Sequence, residues 1–243
     1  MEVIVLGNSA SYPVPDNPCA GYLIRNGQDT IMLDIGNGVV GNLFRYIEPA
    51  KLKALVISHM HTDHYLDIYS LRLHLSFDAK KQGLPLYTPA GAFEKIEAIL
   101  SPDWQQKVAQ VFDFRDIEVG SIDVDSFKVS FATAKHSVDA YSISISSEGK
   151  KITYTGDTAY NQELIDHAKD SDLLISEATL VEPIEGIDHL LPENAAEIAK
   201  LAGVKQLMLT HIWPAFDKQA SLQRAKVMFE NVVLAQTNKV YQI

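Results

Sequence analysis

The chain has 243 residues, of which 47% are apolar, and a formal net charge of −10. A chain of this size hides roughly 70–75% of the surface its unfolded form exposes, enough for one large core and no fibrous or disordered class. The acidic balance disfavours tight, sequence-independent binding of long nucleic acid, which depends on Lys and Arg neutralising phosphates, and no apolar run approaches the ~20 residues of a membrane-spanning helix.

The first third reads as three short strands, Glu2–Leu6, Tyr22–Arg25 and Thr30–Asp34, separated by turn residues. A helix over Val39–Ile47, a buried strand over Lys53–Ser58 and a helix over Leu66–Phe77 follow. The middle holds a strand at Leu84–Tyr87 and a helix at Ala90–Leu100, then strands at Val111–Phe114, Phe127–Thr133, Tyr141–Ser146 and Lys151–Thr155. Ser142-Ile143-Ser144-Ile145-Ser146 alternates as a half-exposed strand should, and Glu148-Gly149-Lys150 is a tight turn. The last third alternates a helix Gln162–Ala168, a strand Leu173–Ser176, a helix Pro192–Ala202 stopped by Gly203, a strand Val204–Thr210, a helix Lys218–Val232 and a strand Lys239–Ile243. With no linker or repeat, residues 1–243 are expected to form one domain, two sheets face to face with helices outside.

The start enters a strand at once, without the basic residues and long apolar segment of a secretion signal. Cys19 is the only cysteine, so no intramolecular disulfide can form, and it reads as a small buried residue rather than a nucleophile. Both observations suit the cytoplasm.

Chemistry concentrates in His59-Met60-His61-Thr62-Asp63-His64, directly after an apolar strand. Imidazole and carboxylate at this density are costly to bury unless a cation holds them, and they are the donors that zinc and similar divalent ions take. His136, Asp157 and His211 each also follow the C-terminal end of a predicted strand. Taken singly, each is as readily a surface polar residue; as a set at four strand ends they point to metal. Residues two apart in an extended segment point the same way, so His59 and His61 can share one ion, with His136 completing the set. Asp63 and His64 address a second ion with His211, and Asp157 is left to bridge. Two such ions would polarise a substrate oxygen and lower the pKa of a bridging water toward neutrality. Zinc is the expected metal, with manganese the alternative. His74 and His167 read as surface residues.

Together these motifs resemble the metallo-β-lactamase fold superfamily. The His-x-His-x-Asp-His string, a later His136, the Gly156-Asp157-Thr158 aspartate and the Leu209-Thr210-His211 histidine match its metal motifs in order, and the resemblance spans nearly the whole chain, from Leu6-Gly7 through Leu33-Asp34-Ile35-Gly36 to His211. The resemblance implies an α/β fold, a four-layer αββα sandwich with the site at one edge, and the ligand roles just given.

Two further matches resemble the ribonuclease Z branch. Ser176-Glu177-Ala178-Thr179 is similar to that branch's His-Glu-Ala-Thr motif with serine in place of histidine, and His189 stands 22 positions before His211, as that branch's extra histidine does. The resemblance implies that His189 stabilises the phosphate or protonates the leaving oxygen, that Glu177 orients it, and that Asp63 acts as a general base besides binding metal. A plain surface histidine is the alternative for His189. Only 20 residues separate His136 from Asp157, so the arm that grips the tRNA elbow is absent.

The expected function is therefore a dinuclear metal-dependent phosphodiesterase acting on a small anionic substrate, cyclic nucleotides included. A thioester or lactone hydrolase comes next, then a ribonuclease Z-like nuclease; a di-iron oxidoreductase or a non-catalytic metal scaffold fits less well. Tyr12, Pro13 and Pro15 are expected at the mouth of the site, with Trp213-Pro214 as another wall. The ribonuclease Z likeness also implies a homodimer through Leu71, Leu73, Leu75 and Phe77.

Overall fold

The computed structural model describes every residue from Met1 to Ile243. In the first half, β1 (Glu2–Gly7), β2 (Gly21–Asn26) and β3 (Asp29–Leu33) precede α1 (Val39–Leu43), β4 (Ala54–Val56), α2 (Thr62–Tyr65) and α3 (Ile68–Phe77). Then come β5 (Leu84–Thr88), α4 (Ala92–Glu97), α5 (Pro102–Val111) and β6 (Phe112–Asp116). The second half runs β7 (Gly120–Val124), β8 (Phe127–Thr133), β9 (Tyr141–Ser147), β10 (Lys150–Tyr154), α6 (Gln162–Ala168) and β11 (Leu173–Glu177). It closes with α7 (Pro192–Leu201), β12 (Gln206–Thr210), α8 (Lys218–Lys226), β13 (Val232–Leu234) and β14 (Val240–Gln242).

Two seven-stranded sheets result, ordered β14-β1-β2-β3-β4-β5-β6 and β13-β12-β11-β10-β9-β8-β7. Strand alternation explains the layers. In β1, Val3 and Val5 enter the core between the sheets, while Ile4 and Leu6 face the first helical layer. In β11, Leu173 and Ile175 point inward and Leu174 meets the second helical layer. A strand buried on both faces is a continuous apolar run, as β1 and β4 are. Three apolar layers separate four structural layers, which is the expected αββα sandwich.

β3 to β6 run parallel, as do β10 to β13. Their C-terminal ends therefore gather at one edge of the sandwich, and the loops that leave them can converge. No helix is long and apolar enough to cross a membrane.

Several boundaries differ from the sequence reading. The helix expected at Leu66–Phe77 is preceded by a separate four-residue turn of helix, α2, that carries Asp63 and His64. Gly91, at φ +75°, delays α4, and α8 stops at Lys226 because Val232–Leu234 pairs with β12 as a strand. The helix α5 and the strand β7 were not expected: the first is largely polar, and the second is an edge strand with little apolar content. Leu71 and Leu75 are fully buried, which leaves Leu73 and Phe77 as the exposed apolar residues of α3.

Ser142 and Ser144 are buried, not half-exposed. Helix α6 covers them, and its His167 lies 2.7 Å from Ser142 Oγ and 3.0 Å from Ser130 Oγ. His167 is thus no free surface residue; nor is His74, which stands 2.7 Å from a Glu48 carboxylate oxygen. Burial, and then the Lys151 ammonium, push the His167 pKa down to about 4. The unfolded ring titrates near 6.5. The neutral ring's contribution is therefore complete above pH 6.5 and lost as pH falls toward 4, at most about 3 kcal/mol before solvent screening. Urea unfolding at pH 7.5 and pH 4.5 should show a smaller acid loss in His167→Gln than in the wild type; equal losses would rule out His167 as the source.

Candidate active site

Each candidate ligand leaves a strand at the same edge. His59 follows β4 and pairs as an isolated bridge with Ala140 of the opposite sheet, which pins the two sheets together there. His61 precedes α2, and Asp63 and His64 lie on that helix. His136 follows β8, Asp157 follows β10, Glu177 ends β11 and His211 follows β12. His211 has φ +49°, a left-handed turn that is strained for a non-glycine residue and is typical of functional positions. Gly36 is required by close approach: a Cβ there would stand 1.8 Å from the Asp63 carbonyl oxygen. That contact lets Ile35 N–H donate to the His64 carbonyl at 2.7 Å and docks the loop after β3 on the ligand turn.

The structure brings all nine predicted site residues together. His59, His61, His136 and Asp157 converge in one group, Asp63, His64 and His211 in a second, and Asp157, His189 and His211 in a third, with ligand atoms inside 4.8 Å in each. His61 Nδ1 lies 3.1 Å from both His59 Nε2 and His136 Nε2. His64 Nε2 is 3.3 Å from His211 Nε2. Nitrogens held tetrahedrally around zinc lie about 3.4 Å apart, so these nitrogens have the spacing of metal donors.

Electrostatics support the same fit. Burial, and then His64, push the His59 pKa well down, and burial with His136 lowers that of His61; both rings are neutral, the form that binds metal. Burial opposes a charge on His64, yet the carboxylates of Asp157, Asp34 and Asp63 raise its pKa well above the imidazole range. A field that strong for positive charge is the field that favours a dication. Burial likewise opposes ionisation of Asp63 and Asp157, but the surrounding histidines hold both well below the usual carboxylate range. Asp157 Oδ1 is buried with no hydrogen-bond partner, a costly state for a carboxylate that a bound cation relieves. Cys19, by contrast, is buried and its thiol is pushed up to about 12, so it is inert.

Three residues that carry the site were given no role in the sequence reading. Asp34 accepts from Ser58 N–H at 2.7 Å, Ser58 Oγ at 2.9 Å, His64 Nδ1 at 2.7 Å and Tyr154 Oη at 2.7 Å. It thereby sets the His64 tautomer and leaves Nε2 facing the cluster. Thr179 donates to Glu177 Oε2 at 2.6 Å and lies 2.9 Å from His211 Nδ1. Tyr154 reaches Asp34 from the opposite sheet. The available signal was positional: Asp34 also follows an apolar strand, and Thr179 stands two residues after Glu177.

Residues 29–212 match the family described as Beta-lactamase superfamily domain. The chain belongs to the beta-lactamase superfamily of metallo-hydrolases. It is 31% identical over 240 residues to the probable metallo-hydrolase YhfI of Bacillus subtilis, covering 96% of each chain. The crystal structure of the metallo-beta-lactamase fold protein YhfI from that organism superposes with a TM-score of 0.89 at 26% identity, covering 99% of both chains. Ribonuclease Z of Archaeoglobus fulgidus is 23% identical over 297 residues, covering 97% of this chain and 95% of the relative. The short form of human tRNase Z shares the fold, with a TM-score of 0.82 at 24% identity over 100% of this chain and 99% of that one.

Within this superfamily member, removing the carboxylate that orients His64 should weaken metal binding as well as the fold. Asp34→Asn is expected to lower metal affinity about 10- to 100-fold, read by competition against a chromophoric chelator. Unchanged affinity in a folded variant would remove Asp34 from the site.

Proposed function

We propose that the protein is a dinuclear metal-dependent phosphodiesterase acting on small phosphodiesters, cyclic nucleotides included. The observation that carries this reading is the His189–Glu177 pair. His189 Nδ1–H donates to Glu177 Oε1 at 2.9 Å, and the His189 ring stacks on His211 with centroids 5.9 Å apart. Glu177 is fully buried and also accepts from Thr158 N–H at 2.7 Å and from Thr179. Burial opposes a charge on His189, and Glu177 overrides it, which pushes its pKa up to about 9. Hydrolysis at a carbonyl needs the same ions but no such second charged donor, so the pair favours phosphorus.

His59, His61 and His136 would hold one divalent ion and Asp63, His64 and His211 the other, with Asp157 between them; zinc fits these donors, and manganese is the alternative. Such ions, when bound, polarise phosphoryl oxygens and bring the pKa of water toward neutrality. The chain's own groups do the rest. Nε2–H of His189 donates to a phosphoryl or leaving oxygen as negative charge grows there. Glu177 fixes that ring through Nδ1 and balances its charge. Asp63, whose Oδ2 accepts from Ser11 N–H at 2.8 Å, would be the carboxylate that takes a proton from the attacking water.

Size of substrate follows from the short segment between His136 and Asp157. It holds only β9, β10 and their turn, with no projecting arm for a large RNA. Net charge −10 argues the same way.

Cyclic nucleotides, aryl phosphodiesters, thioesters and lactones should be assayed against the metal-loaded protein, with the His59→Ala/His61→Ala double variant as control. Phosphodiester turnover is expected to dominate, to vanish on chelation and to return with zinc or manganese. His189→Ala should retain its metal content and lose about 10²- to 10⁴-fold in turnover, the range for a positioned acid. Full phosphodiester turnover in that variant, or turnover confined to thioesters or lactones, would refute the proposal.

A further inference from the structure

Two aromatic rings from distant parts of the chain meet beside the metal ligands. Tyr12 and Trp213 stand edge to face, with ring centroids 5.8 Å apart and planes at 84°. Both are tied to the ligand shell through their backbones. Ser11, next to Tyr12, donates its N–H to Asp63 Oδ2 at 2.8 Å. Trp213 follows His211 by two residues, and its N–H reaches the Thr179 carbonyl at 3.4 Å. Ser9 and Ile212 form a parallel bridge that joins the two segments directly.

The Tyr12 loop is built rather than slack. Ser9 Oγ donates to the Tyr12 carbonyl at 2.8 Å, Val14 and Asn17 bridge across the loop, and Asn17 Nδ2 donates to Asn8 Oδ1 at 3.1 Å. Ser11 holds φ +58°, a left-handed conformation that a non-glycine residue adopts at a cost. That strained residue is the one that both contacts Asp63 and delivers the next ring. Tyr12 leaves 43% of its surface exposed, so part of its ring is accessible to a ligand. An edge-to-face pair uses one ring face at most, so aromatic surface remains open for a third ring.

We infer that Tyr12 and Trp213 form a stacking subsite for a planar aromatic ring carried by the substrate, a nucleobase or an aryl group, and so select phosphodiesters that bear such a ring over those that do not. The inference rests on the phosphodiesterase reading for the scissile bond, but not for the binding of the ring. Stacking of a base on an aromatic side chain is sequence-tolerant, because every base offers a π-face. The subsite therefore accepts different bases rather than reading one. Its partners are positioned by Asp63 and His211, the residues that set where the phosphate would lie.

The test compares wild type, Tyr12→Leu and Trp213→Leu on 3′,5′-cyclic adenosine monophosphate and on glycerol 1,2-cyclic phosphate, which carries no base or aryl ring. The variants should raise KM for the nucleotide about tenfold or more, with kcat little changed, and leave the diester without an aromatic ring unaffected. An equal effect on both substrates, or none on either, overturns the subsite. Binding is read separately. The chain has two tryptophans, and Trp104→Phe leaves Trp213 as the sole indole fluorophore. Adenosine monophosphate should quench it in the metal-loaded protein while ribose 5-phosphate does not, and Tyr12→Leu should weaken the quenching at least fivefold in apparent Kd. If no diester is turned over but this selective quenching appears, the subsite stands and the phosphodiesterase reading falls; if quenching is absent or equal for the two ligands, the subsite itself is refuted.

Discussion

The buried carboxylate of Asp34 is the constraint on which the rest of the site depends. It is fully enclosed, and four donors from three separate segments satisfy it. A carboxylate in that position without them would cost several kcal/mol. One donor, Tyr154, belongs to the second sheet, while Asp34 leaves the first, so the same oxygens that orient His64 also join the two halves of the sandwich. Fold and site are coupled there: the sheets cannot slide apart without exposing the carboxylate or releasing the histidine.

From that anchor the chemistry is arranged in two shells of opposite character. The inner shell is a set of imidazoles and carboxylates whose ring nitrogens face each other at 3.1–3.3 Å, an arrangement that is repulsive unless a proton or a metal cation stands between them. The outer shell supplies donors and acceptors that hold each ring in one tautomer: Asp34 for His64, Thr179 for His211, and the Asp188 carbonyl, 3.0 Å from Nδ1, for His136. Glu177 links this outer shell to His189, because it contacts Thr179 and His189 with different oxygens. The acid candidate and the candidate metal ligands thus share one hydrogen-bonded framework, and displacement of either would disturb the other.

The parallel strands deliver chemistry, and the loops around them decide what reaches it. Ligands lie at C-terminal strand ends, where main-chain direction is set by sheet pairing and varies little. The Tyr12 loop and the segment after His211 lie outside that scaffold, as loops that carry specificity usually do. A framework of this kind can keep its metal centre while its substrate range changes through a few exposed side chains.

Read by itself, the sequence determined the class of fold and the alternation of strands that makes two sheets doubly buried, and it picked out the histidines and aspartates that the structure brings together. It could do so because these signals are local: an apolar run ending in histidine or aspartate is visible without knowing its neighbours. The tertiary structure alone decided what lies opposite what. The serines of β9 alternate as if facing solvent, yet α6 covers them, since a polar sheet face is stable when a helix brings His167 to hydrogen-bond it. Helix α5 escaped the pattern because its polar surface dilutes the apolar stripe, and β7 because an edge strand buries only one residue, Val124. Asp34 stood in a matched motif without a role of its own, and Tyr12 and Trp213 lie 201 positions apart. Their partnerships depend on contacts between segments remote in the chain, and only packing of the two sheets brings those segments together.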